Sequence, residues 1–221
     1  MRDNVVVSVV LPVFNESARI DAVLNSLYHQ QTRNELITHD SYELIIVDNN
    51  CTDDSVAKIN AFSQQHPALD IHVIVEKVQG VSSARKRGMD YASQRASVRD
   101  SRLGRERKHY IVSADADCTV DAFWLHELTA TMIAENGDLG TCNYYYDFEH
   151  FRQRPNLFRE IQKTLRCRDF SFSLLAASRM ARALPLNASC MIASAASRFF
   201  TSLSATASSN TFQMTGISAS A

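Results

Sequence analysis

Val5-Val6-Val7-Ser8-Val9-Val10-Leu11 is a β-branched run closed by Pro12, and the segment after it, Ser17 to Gln31, places Ile20, Val23, Leu24 and Leu27 at helical spacing. Strand gives way to helix, and the same change of period recurs three times. Tyr42 to Val47 precedes a helical pattern from Thr52 to Gln65, Ile71 to Val75 one from Val81 to Arg95, and Tyr110 to Ser113 one from Val120 to Asn136. Four consecutive strand-helix units predict an α/β fold with a mostly parallel sheet. Parallel neighbours need a crossover connection, and the crossover helices cover both faces. In such sheets ligands sit beyond the carboxyl ends of the strands. The polar groups at those ends are Asn15 and Glu16, Asp48 to Asn50, and Asp115 with Asp117, all expected along one rim.

The fourth unit carries the most chemistry. Tyr110-Ile111-Val112-Ser113 runs into Ala114-Asp115-Ala116-Asp117-Cys118, so a buried strand ends in two carboxylates that the β period places on one side of the chain. Two hard oxygen donors there can grip Mg²⁺ or Mn²⁺ and leave positions open for phosphate oxygens. The same residues also read as a strand ending in a solvated acidic turn.

With 221 residues, 45% of them hydrophobic and 21% charged, the chain can bury one substantial core. The net charge of −1 gives no global attraction to nucleic acid or to acidic membranes. Basic charge is local: Arg95, Arg99, Arg102, Arg105, Arg107 and Lys108 crowd around Gly104 with few apolar residues, which predicts an exposed basic loop, solvated or touching a phosphate or anionic lipid. Cys51, Cys118, Cys142, Cys167 and Cys190 are odd in number and form no Cys-x-x-Cys pair, a usage that fits a reducing cytoplasm. The most apolar late stretch, Phe170 to Leu186, is broken by Arg179 and Arg182, so any membrane contact is expected to be peripheral, at the inner face.

No Gly-x-Gly-x-x-Gly follows the first strand and no Gly-Lys-Ser/Thr loop occurs, which argues against dinucleotide chemistry and P-loop NTPases. Instead, four segments in order resemble the family 2 glycosyltransferases with their nucleotide-sugar-binding GT-A fold. These are Val9-Val10-Leu11-Pro12-Val13-Phe14-Asn15-Glu16; Leu44 to Val47 followed by Asp48-Asn49-Asn50-Cys51-Thr52-Asp53, where Cys51 occupies a usual Ser position; Gly80-Val81-Ser82-Ser83-Ala84-Arg85-Lys86-Arg87-Gly88, where Lys86 stands for Asn; and Asp115-Ala116-Asp117.

The resemblance implies a nucleoside diphosphate sugar donor, an Mn²⁺ or Mg²⁺ ion, a glycan or lipid-linked acceptor and inverting transfer. It assigns Pro12, Phe14, Asn15, Glu16, Asp48, Asn50, Asp53, Gly80, Arg85 and Asp115 to the donor, and Asp115 and Asp117 to the metal. Asp48 can accept the N–H of a uracil-like base or simply shape its turn. Asp53 can order that turn or favour the start of the next helix. Arg85 can pair with the nucleotide or its diphosphate. The seven histidines show no metal-ligand spacing and read as structural, Trp124 reads more as helix packing than as a sugar-stacking platform, and Tyr144, Tyr145 and Tyr146 read as a fifth strand with at least one ring toward the cleft or solvent.

Residues 1–150 are thus expected to form the nucleotide-sugar-binding domain and 151–169 the helical start of an acceptor region. Residues 170–221 read as an aberrant tail: they contain no Asp or Glu, and Ser and Ala contribute twelve each. Inverting transfer needs a general base, yet only Glu160 and Asp169 lie beyond Phe151, and neither stands in a matching motif. The catalytic base is therefore unassigned. Reading each codon one base early across Met214 and Thr215 forces Asp, the surrounding codons permit Asp-Asp-Trp-Asp, and Ser194 to Ser197 permit Gly-Gly-Phe. A frame shift between Cys167 and Ser194 is the expectation, and gene sequencing that finds no such motif in the displaced frame removes it. Two rivals remain at this level: a non-catalytic nucleotide-binding protein, and a sugar-phosphate nucleotidylyltransferase, whose Gly-rich basic loop Pro12 to Glu16 does not supply.

Overall fold

The computed structural model describes residues 5–32, 37–39, 41–104, 108–136, 139–142, 151–175, 180–184 and 190–194. The four strand-helix units are present: β1 (Val5–Val13), α1 (Ile20–Tyr28), β2 (Tyr42–Asp48), α2 (Ser55–Gln65), β3 (Asp70–Val75), α3 (Val81–Leu103), β4 (Lys108–Ala114) and α4 (Trp124–Ala134). They are followed by β5 (Leu139–Cys142), α5 (Pro155–Leu175), β6 (Met180–Leu184) and β7 (Cys190–Ser194). The sheet order is β3-β2-β1-β4-β7-β5-β6. Pairings β3-β2, β2-β1 and β1-β4 are parallel, while β7 runs antiparallel to both β4 and β5. The tyrosines expected in a fifth strand lie outside the described residues, and β5 ends just before them. Strands β6 and β7 come from the segment expected to be an aberrant tail, and α5 contains most of the expected acceptor-region helix.

The central strands are buried on both faces, which is why they are nearly unbroken Val, Ile and Leu. On one face Val7, Val9, Leu11, Leu44, Ile46 and Val112 pack with Leu24 and Leu27 of α1, Ile59 of α2 and Trp124, Leu125 and Leu128 of α4. Trp124 is fully buried, the packing role its sequence context suggested. On the other face Val10, Ile45, Val47 and Ile111 meet Ala84 and Ala92 of α3. Gly88 lets α3 approach this closely: a Cβ there would lie 2.3 Å from Val10 Cγ1 and 2.9 Å from Val47 Cγ2.

Helix α3 corrects one expectation. Arg95, Arg99 and Arg102 are not in a loop: the helix continues to Leu103 and ends at Gly104, whose φ of 60° is the left-handed stop that glycine tolerates. The reason is tertiary. Arg95 and Arg99 reach across to Glu43, a carboxylate almost wholly buried near the amino end of β2, at 2.7 and 3.0 Å, and Arg95 also pairs with Asp70 at 2.7 Å. Ser8 of β1 donates to the other Glu43 oxygen at 2.6 Å. A run of arginines without an apolar stripe therefore still forms a helix, because its inward face is satisfied by charge.

Candidate functional site

Strand β1 sits between β2 and β4, so the chain leaves it in opposite directions along the sheet and opens a crevice beyond their carboxyl ends. Three loops converge there, one after each of β1, β2 and β3, together with the turn after β4.

The β1 and β2 loops are stitched together. Asn15 and Asn50 both take left-handed backbone, with φ of 54° and 68°, a conformation Asn accepts more readily than most residues. Asn15 Oδ1 accepts the Thr52 N–H at 2.8 Å. Asp48, opposite Val13 in the β1-β2 register, accepts the Cys51 N–H at 2.8 Å and so closes its own turn. The Cys51 thiol donates to the Val13 carbonyl at 3.4 Å, and burial pushes its pKa up to about 11, so it is a packed hydrogen-bonding group in the place usual for Ser and not a thiolate at neutral pH.

Asp53 stands at the start of α2 and holds the β1 loop, rather than the turn after Asp48. One oxygen takes the Ser17 N–H at 3.0 Å, fixing the β1 loop, and the other takes the Ser55 N–H at 3.0 Å, at the start of α2. Hydrogen bonding by Ser55, with help from Ser17, holds this carboxyl well below the usual range. A carboxyl with a depressed folded-state pKa stabilises the fold above its unfolded pKa of about 4, and that contribution is lost as pH falls through the folded value. Thermal melts between neutral pH and pH 3 are therefore expected to show a smaller acid-induced drop in Tm for Asp53→Asn than for the wild type, and equal slopes would contradict this account. Glu16 is engaged locally, its carboxylate on Arg19 Nε at 3.0 Å and its N–H on Ser55 Oγ at 2.8 Å.

The β3 loop is tied to the β2 loop through a residue that sequence reasoning passed over. Asn49 is buried, and its side chain donates to the carbonyls of Glu76 and Val78, both at 2.8 Å, and accepts the Gly80 N–H at 2.8 Å. The available signal was its position: lying between Asp48 and Asn50, it faces inward where they face the rim. Asn50 adds contacts to the Lys77 carbonyl at 3.2 Å and Gln79 Oε1 at 3.0 Å. Gly80, at φ 133°, is the residue from which α3 starts.

One and a half turns into α3, the Arg85 guanidinium pairs with Asp115 Oδ1, joining the helix to the turn after β4. Arg85 Nε is buried and has no hydrogen-bond partner among the described residues. The strand ends at Ala114, so Asp115 and Asp117 belong to a turn and not to a continuing β period; their side chains still alternate with the buried Ala116, Asp115 half-buried and Asp117 exposed. The rim carries apolar surface too: Phe14 is 49% exposed and Val78 63%.

Among the described residues, Glu43, Asp70 and His72 are three metal-ligand types within 4.8 Å of one another, but they stand toward the amino ends of β2 and β3, away from this crevice. Arg95 and Arg99 already occupy their oxygens and balance the two carboxylates, so the trio is suited to holding α3 and not to holding a cation. Asp115 and Asp117 are a different donor set: hard oxygens, open to solvent, with no protein cation on Asp117 among the described residues. That fits an Mg²⁺ or Mn²⁺ ion held by two carboxylates and completed by ligand oxygens and water.

The family model for Glycosyl transferase family 2 matches residues 8–205, and the chain belongs to that family. It is 27% identical over 133 residues to glycosyltransferase AglE of Haloferax volcanii, covering 60% of this chain and 37% of that protein. Mannosyltransferase PcManGT from Pyrobaculum calidifontis, solved with GDP-Man and Mn²⁺, superimposes with a TM-score of 0.50 at 20% identity, over 63% of this chain and 35% of that one. S. aureus TarS 1-349, solved with UDP-GlcNAc, gives a TM-score of 0.49 at 18% identity, over 63% and 34%. The architecture is thus the GT-A fold of family 2 glycosyltransferases. The chain spans between 34% and 37% of the length of these relatives. No helix among the described residues is long and apolar enough to cross a membrane.

Proposed function

We propose that this chain binds a nucleoside diphosphate sugar in the crevice between the β1, β2 and β4 ends, as the donor half of an inverting transferase acting on a glycan or lipid-linked hydroxyl. The observation that carries the reading is the convergence, at the point where strand order reverses, of Asp48 on one side and the Arg85-Asp115 pair with Asp117 on the other. Asp48 keeps an oxygen beyond its turn bond to receive a base N–H, and the exposed Phe14 ring, next after its register partner Val13, offers an apolar face to that base. The Arg85 guanidinium, about a third of its side chain exposed, offers a charged donor to a phosphate oxygen. Asp115 and Asp117 would hold Mn²⁺ or Mg²⁺, and the bound ion supplies charge stabilisation to a diphosphate leaving group. The rest of the site, Asn15, Glu16, Asn50, Asp53 and Gly80, holds these groups in place through the loop bonds described above.

The acceptor's proton has no assigned receiver. Glu160 lies on the exposed surface of α5 in an ion pair with Lys163, so this polypeptide is expected to bind donor without rapid turnover. A thermal-shift panel of UDP, GDP, dTDP and CDP, with and without Mn²⁺, tests the reading. One nucleotide is expected to raise Tm in a metal-dependent manner, with that dependence lost in Asp117→Asn. A sharp baseline melt that no nucleotide moves would overturn it.

A further inference from the structure

We infer that Asn49 is a positioning residue for the donor, acting through Arg85 without touching the ligand; this rests on the function proposed above. Its amide makes three hydrogen bonds of 2.8 Å, to the carbonyls of Glu76 and Val78 and from the Gly80 N–H. Its own N–H donates to the Val13 carbonyl at 2.9 Å, so one buried residue is anchored to β1 by its backbone and grips the β3-α3 loop with its side chain.

The loop needs such a grip. Glu76 to Gln79 contain no regular structure, Lys77, Val78 and Gln79 are exposed, and Gly80 has a backbone that imposes little direction of its own. The first N–H groups of α3 have no side-chain cap, and Ala84 N–H to the Gly80 carbonyl, 3.1 Å, is the helix's opening bond. Where Gly80 is held decides where α3 begins, and Arg85 follows it in the helix by 5 residues. A shift of the helix start turns the guanidinium away from Asp115 and from the crevice.

The chemistry of the amide is specific. Two of its bonds are donated by Nδ2 and one is accepted by Oδ1, and no other side chain of this size offers both. Aspartate keeps the shape and the acceptor but sets a carboxylate oxygen against two carbonyl oxygens. Asn49→Asp is therefore the informative variant, with Asn49→Ala as a version that removes the contacts without adding repulsion.

The experiment is a double-mutant cycle on nucleotide affinity, using the nucleotide that the panel selects with Mn²⁺, on wild type, Asn49→Asp, Arg85→Ala and the double variant. Amide hydrogen exchange at Gly80 is followed in the same proteins. Asn49→Asp is expected to weaken binding at least 10-fold in the wild-type background and less than 3-fold when Arg85 is already Ala, and to speed Gly80 exchange in the absence of nucleotide. Asn49→Ala should weaken binding by an intermediate factor and, having no acceptor for the Gly80 N–H, should also speed Gly80 exchange. Equal losses in both backgrounds would mean that Asn49 meets the ligand itself and would overturn the inference, as would unchanged affinity in a folded Asn49→Asp. Wild type that binds no nucleotide would remove the donor reading and this inference together, an outcome distinct from the other two.

Discussion

Replacing Glu43 by Ala is expected to cost on the order of 3 kcal/mol of unfolding free energy, the largest stability effect expected of a single polar substitution among the described residues. Glu43 is 1% exposed, and three donors from two elements converge on it: Ser8 from β1, and Arg95 and Arg99 from α3. Removing it takes this carboxylate from both guanidinium groups at the amino end of β2 and leaves Arg95 only the exposed Asp70 as an acidic partner. Burial by itself works against the Arg95 charge, yet the hydrogen bond and charge of Glu43, with Asp70, outweigh it and raise the Arg95 pKa. The carboxylate is therefore what makes the arginines tolerable there. Each arginine keeps about a quarter of its side-chain surface in water, which places the expected cost at the low end of the 3–5 kcal/mol range for breaking a buried pair. Glu43→Gln retains the packing and one acceptor and should cost about half as much. Urea denaturation of the three proteins checks this, and a loss below about 1 kcal/mol for Ala would show that water satisfies the arginines. Since domains of this kind are stable by only about 5–15 kcal/mol, the substitution is expected to be visible in expression as well.

That network also shows where sequence reading stops. Strands β1, β2 and β4 were legible because doubly buried parallel strands are continuous Val, Ile and Leu, and α1 was legible because it has one wet face. Helix α3 beyond Arg95 was not, since its inward side is arginine and its partner, Glu43, lies 52 residues earlier in the chain. The rim was legible as a set of polar strand ends, and the structure brings Asn15, Asp48, Asp53, Gly80, Arg85 and Asp115 to it. The division of labour within the set was not: Asp53 and Asn15 spend their polar atoms on neighbouring loops, which depends on distances no spacing rule supplies. The place of β7 between β4 and β5 was equally hidden, because periodicity yields elements and not their order in a sheet.

Arg85→Ala is expected to have the largest effect on ligand binding, and in opposite directions for two ligands. The guanidinium is the one cation paired with Asp115 among the described residues, and a third of its side chain is open to solvent. Loss of a charge-assisted contact to a diphosphate costs about 2 kcal/mol at a site that is one-third exposed, or roughly 30-fold in nucleotide affinity. Mn²⁺ measured alone should respond the other way. A positive charge beside Asp115 repels a cation that seeks the same carboxylate, and even at the dielectric of water a charge pair about 4 Å apart is worth about 1 kcal/mol. Its removal should tighten metal binding several-fold in the absence of nucleotide, as read by the free Mn²⁺ signal in electron paramagnetic resonance. Arg85→Lys keeps the charge and loses the fork, so it should recover the weak metal binding of the wild type but not its nucleotide affinity. Arg85 would then link the two ligands: its charge disfavours the bare cation and favours the diphosphate that accompanies it. Metal affinity that is unchanged or weaker in Arg85→Ala would separate Asp115 from the cation site and leave Arg85 with the nucleotide alone.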